Sequence, residues 1–176
     1  MAKVIIFGLQ DFASLAHYYL KQERKHKIVA FTAHGEFLKG ITVFEGLPVV
    51  NFEEVEIGFP PVSHQFFAPM SYRKMNRLRE RVYIEAKAKG YEMITYVHPT
   101  SEVAPGTKIG DNCFILENNT IQPFVVIGNN VILWSANQVS HHSKICDHVF
   151  FGPQVAMSGN CVVEPYSFLG INQFVP

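Results

Sequence analysis

The amino-acid sequence predicts two architectures in one chain, a small α/β domain followed by a parallel β-helix. Three observations carry this. Short apolar runs alternate with a helical-period segment up to Val97, a six-residue apolar repeat runs unbroken from Val103 to Val175, and turn-type residues recur at a fixed offset inside that repeat.

In the first part, Lys3 to Phe7 is a short apolar strand, and Asp11 to Lys21 carries apolar residues at helical spacing. Ile28 to Phe31 supplies the next strand, which makes a βαβ start. Leu47 to Val50 and Phe66 to Ala68 read as further strands. A second helix is predicted from Ser71 to Lys89, where Met75, Leu78, Val82 and Ala86 recur at three or four residues and Gly90 supplies the stop.

In the second part thirteen anchors keep step: Val103, Ile109, Ile115, Ile121, Ile127, Leu133, Val139, Ile145, Phe151, Met157, Val163, Leu169 and Val175. Four residues after the anchors stand small or branched side chains, Cys113, Val131 and Cys161 among them, as a second inward position of limited volume requires. Three residues after the anchors stand Gly106, Asn112, Asn118, Asn130, Asn160 and Asn172, types that accept positive φ at a corner.

The chain of 176 residues has 15 Lys and Arg against 15 Asp and Glu, so no charge excess attracts nucleic acid. With 48% hydrophobic residues it can bury a core, yet no apolar run approaches the ~20 residues of a membrane span. The N-terminus lacks a signal-peptide pattern, so a cytoplasmic protein is expected. Cys113, Cys146 and Cys161 show no metal or redox spacing and read as core fillers. His141, His142 and His148 cannot converge on one zinc within a chain, because His142 and His148 fall on successive corners, so no metal is expected. His17, His26, His34 and His64 read as surface or packing residues.

The second part resembles the left-handed β-helix of hexapeptide acyltransferases, with three hexads to a coil. Tyr96-Val-His-Pro-Thr100, Val139-Ser-His-His-Ser-Lys-Ile145 and Phe168-Leu-Gly-Ile-Asn172 narrow the resemblance to sugar acyltransferases of the sialic-acid O-acetyltransferase and bacillosamine-precursor N-acetyltransferase type. The resemblance implies a Rossmann-like nucleotide-sugar-binding domain over 1–97 and a left-handed β-helix acyltransferase domain over 98–176. It implies acetyl-CoA as co-substrate, a homotrimer, and transfer of acetyl to a sugar amine or hydroxyl for surface glycans. A trimeric, non-catalytic scaffold of the same fold is the alternative. The chain ends at Pro176 inside a hexad, whereas the family usually continues, so a shortened C-terminus is expected to lack part of the CoA groove.

The resemblance makes His141 the general base, with His142 beside it where the family often has an acid that orients the imidazole. From its place in the hexad His142 is expected to face away. Gly159, one coil beyond His141, is the candidate oxyanion donor, its missing side chain leaving room for pantetheine. Ile171 and Asn172 are assigned to the cofactor. Gly8, where the first strand feeds the first helix, could seat a phosphate on backbone N–H groups, and His98 is assigned to the sugar pocket. Outward positions on the face of Phe114, Ile132, Trp134 and Phe150 form an apolar stripe, predicted to pack at the trimer axis.

Overall fold

The computed structural model describes residues 1–176, which form two compact units. The first comprises 1–71 and 82–94, the second 72–81 and 95–176.

In the first unit, β1 (Ala2–Phe7), β2 (His26–Ala33), β3 (Val43–Phe44), β4 (Leu47–Asn51), β5 (His64–Phe67) and β6 (Glu92–Met93) form one sheet in the order β3-β4-β2-β1-β5-β6. Every neighbouring pair is parallel except β3 with β4. β1 is central because Val4, Ile5 and Ile6 are wholly buried, as strands covered on both faces require. Helix α1 (Asp11–Glu23) buries Ala13, Ala16 and Leu20, spaced three and four apart on one face.

The second unit is a parallel β-helix of three sheets, with every strand two residues long and paired to the strand eighteen residues later. Thus Phe114 pairs with Ile132 and then Phe150, Thr120 with Gln138 and then Ala156, and Val126 with Lys144 and then Val162. The anchors fill the interior, joined by Cys113, Val125, Val131, Val149 and Val155 from the second inward position. Two buried asparagines in that position, Asn119 and Asn137, form a ladder: both donate to the Trp134 carbonyl, and Asn137 also donates to Asn119.

The third position after each anchor has positive φ at every corner from Gly106 to Asn172. Phe124, Ala136, His142, His148, Gln154 and Tyr166 adopt it alongside the asparagines, because the corner imposes it on whatever residue falls there. The helix also begins one hexad earlier than the repeat suggests. Tyr96–Val97 pairs with Phe114–Ile115, so the division falls before Thr95 and not after Val97.

The predicted helix from Ser71 starts later, as α2 (Arg77–Ala88). Lys74, Met75 and Asn76 all have positive φ, and this turn lets the Asn76 amide donate to the carbonyls of Tyr166 and Ser167. Arg79, fully buried, donates to the carbonyls of Asn130 and Val149 and to Asn76. Burial pushes its guanidinium down to about 9, so it remains charged at neutral pH.

This segment corrects the expected trimer face. Phe114, Ile132 and Phe150 are at most 5% exposed within a single chain, and Trp134 is partly buried. Tyr72 lies 5.1 Å from Phe150 and 4.4 Å from Phe168 by ring centroid, and Tyr96 packs on Phe114. Phe114, Ile132 and Phe150 are covered by the chain's own 72–81 segment and first rung and are not open to a threefold axis. Cys146, one residue past its anchor, is only partly buried and is not the core filler expected of it.

Candidate active site

His141 stands at the corner after Gln138–Val139 with its side chain exposed. Its backbone is held from both neighbouring coils: its N–H donates to Gln122 Oε1 at 2.9 Å, and its carbonyl accepts from Asn160 N at 3.0 Å. The ring lies across Gly159. A Cβ at Gly159 would come within 2.7 Å of His141 Cε1, 3.0 Å of Nε2 and 3.1 Å of Nδ1. Gly159 does not have a positive φ, so the corner needs glycine there for room and not for backbone conformation. The space expected to admit pantetheine is taken by the imidazole itself. The Gly159 N–H makes no hydrogen bond within the chain.

His142 does not face away. Its backbone takes the left-handed corner conformation, with its N–H on the Pro123 carbonyl, and this turns its ring back toward His141. The two Nδ1 atoms are 3.1 Å apart and the rings meet edge to face at 84°. Below, Phe124 occupies the same corner one coil earlier and holds the His142 ring at a centroid distance of 4.6 Å. Phe124 is 71% exposed and was not singled out in the sequence, since an exposed aromatic at a corner carries no motif of its own.

The remaining candidates are not gathered at this corner. Ile171 and Asn172 are exposed at the corner that precedes the Gln138–Val139 sheet, whereas His141 and Gly159 lie at the corner that follows it. Asn172 N donates to the Pro153 carbonyl. His98 belongs to the first coil, where the Thr100 N–H donates to its Nδ1, so its neutral ring carries the proton on Nε2. In the first unit, Gly8 has φ +114° and its N–H donates to the Thr32 carbonyl at the end of β1. Only glycine adopts this φ without strain.

Near that strand end, His34 is more than the packing residue expected. Its Nδ1 is 3.0 Å from Glu53 and its Nε2 is 3.2 Å from Glu85, while Phe7 and Phe52 meet its ring edge on. Burial opposes the Glu53 charge, but the backbone N–H groups of Glu53 and Gly35 and the His34 ring together hold its carboxyl below the usual range. No cluster of three His, Cys, Asp or Glu side chains is placed to hold a metal ion, and no helix is long and apolar enough to cross a membrane.

Three stacked sheets, an eighteen-residue register and an exposed histidine corner define a hexapeptide-repeat protein. The model of the bacterial transferase hexapeptide, six repeats, matches residues 106–141, which end at that histidine. Among individual proteins, the chain is 31% identical over 137 residues to GDP-perosamine N-acetyltransferase of Escherichia coli, a match covering 68% of this chain and 59% of that relative's length. Two solved structures share the fold. One is a histidine-to-asparagine variant of perosamine N-acetyltransferase from Caulobacter crescentus in complex with CoA and GDP-perosamine, with TM-score 0.83, 20% identity, and coverage of 97% of this chain and 78% of that one. The other is the acetyltransferase domain of PglB from Neisseria gonorrhoeae, with TM-score 0.83, 19% identity, and coverage of 99% and 82%. The resemblance to hexapeptide sugar acetyltransferases, read from three short motifs, is thereby borne out, as is the pairing of an α/β domain with a β-helix.

Proposed function

We propose that the protein transfers the acetyl group of acetyl-CoA to the amine of a nucleotide-linked amino sugar, with His141 as general base. The observation that carries this reading is the imidazole of His141 lying over Gly159, beside a backbone N–H with no partner in the chain. As the sugar amine attacks the thioester carbonyl, Nε2 of His141 takes the proton from the nitrogen. The Gly159 N–H donates to the oxyanion. Collapse breaks the C–S bond, and His141 returns the proton to the leaving thiolate, giving the amide and CoA.

The similarity to GDP-perosamine N-acetyltransferase, 31% identical over 137 residues, favours an amine acceptor over a hydroxyl and makes GDP-perosamine the first substrate to try. Ile171 and Asn172 are proposed for the cofactor, Gly8 and His98 for the nucleotide sugar. Because His98 and His141 occupy different corners and different coils, the reading calls for a homotrimer in which adjacent chains complete the site, using a face other than that of Phe114 and Phe150. A cytoplasmic location goes with these substrates. The test is incubation with acetyl-CoA and GDP-perosamine, following free thiol and the mass of the acetylated sugar. Thiol release absent across a panel of nucleotide-linked amino sugars would favour the non-catalytic scaffold.

A further inference from the structure

We propose that His142 is a positioning residue that sets the tautomer of His141, so that the pair acts as a proton-gated switch; this rests on His141 being the base. Two nitrogens 3.1 Å apart, both Nδ1, share one hydrogen bond, and one of them must donate. If His141 Nδ1–H donates, its Nε2 is bare and can take a proton from the acceptor amine. If His142 Nδ1–H donates, the neutral His141 carries its proton on Nε2 and is no longer a base. The two arrangements contain the same atoms and the same charge; only one is competent.

A carboxylate in the place of His142 would accept and never donate, locking the competent tautomer. A second imidazole leaves both open and adds a site for protonation. Once His142 takes a proton, it has two N–H groups, its Nδ1–H must donate, and His141 is driven to the incompetent form. The first proton taken by the pair therefore stops catalysis whichever ring holds it.

The surroundings isolate this exchange. From the coil below, the pair meets Gln122, Pro123 and Phe124, and from the coil above Gly159 and Asn160, none of which titrates. Lys144 is two residues on from His142 and acts on Cys146. Phe124 holds the His142 ring in the orientation that aims Nδ1 at its partner.

The test is histidine ¹⁵N NMR between pH 5 and 9 on the full chain, which reports tautomer and protonation of each ring without substrate, for the wild type, His142→Asp and His142→Phe. The corner conformation suits both variants, since Asp tolerates positive φ and Phe already stands in this slot at position 124. In the wild type the His141 nitrogens should respond to two coupled steps. His142→Phe should reduce these to one and leave the His141 tautomer with no neighbouring ring to set it. His142→Asp should hold the proton on Nδ1 of His141 at neutral pH and above, and raise turnover above that of the wild type. Identical His141 titrations in wild type and His142→Phe would overturn the proposal. The reading of His141 as base fails separately, if His141→Ala releases thiol at the wild-type rate while the coupled titration is intact.

Discussion

Replacing Gly159 with alanine isolates the position of one ring. The new Cβ would stand 2.7 Å from His141 Cε1, a separation Cβ atoms do not tolerate, and ordinary contact begins near 3.4 Å. The imidazole must therefore retreat by about 0.7 Å. It can do so, because His141 is exposed, so the cost in stability is that of a displaced rotamer, about 0.5–1.5 kcal/mol. Alanine at an ordinary φ returns roughly 0.4–1 kcal/mol by restricting the unfolded chain. Folding stability is expected to change little, and Tm by no more than about 3 °C. Catalysis is expected to suffer, since a shift approaching 1 Å in a catalytic group costs up to roughly 100-fold. Gly128→Ala serves as the contrast. There a Cβ would meet the backbone N of Asp147 at 2.9 Å, and neither backbone can swing aside, so overpacking should cost about 1–3 kcal/mol while turnover of the folded fraction is kept. Calorimetry and thiol release on both variants would check this. Full turnover in Gly159→Ala would refute the argument that the site depends on where the His141 ring lies.

His141→Ala should abolish acetyl transfer, by roughly 10²–10⁴ in rate, yet shift stability by no more than about 0.5 kcal/mol because the side chain fills no core, as parallel kinetics and denaturation would show. Arg79→Ala should destabilise by about 2–5 kcal/mol in chemical denaturation, for it empties a large buried side-chain volume and leaves the Asn130 carbonyl without its donor. Stability should fall with pH in two steps. Burial lowers the His148 pKa, so its contribution is fully present above about 6.5 and is lost as pH falls below that toward the lowered folded-state value; Tyr166 and Arg77 overcome the burial cost of Glu80 and hold its carboxyl low, so its contribution is lost below about 4.5. His148→Asn should flatten the upper step in a Tm-versus-pH series, and an unchanged slope would contradict the assignment.

The β-helix was legible in the sequence because its interior repeats. Each anchor meets the anchors one coil above and below, so a local period of six reports a long-range register without any knowledge of which distant residues touch. The corners were half legible: asparagine and glycine announce positive φ, but Phe124, His142 and Tyr166 adopt it only because the coil forces them to. The identity of His141 as a candidate followed from motif and offset. What surrounds it did not, because the turn of His142 back onto His141, and the contacts with Gly159 and Phe124 one coil away, depend on side-chain directions that no periodicity encodes. The covering of the Phe114 and Phe150 face by Tyr72 and Arg79 was hidden for a similar reason. An apolar outward stripe states that something must exclude water from it, and only the tertiary structure decides whether a second chain or a distant turn of the same chain does so.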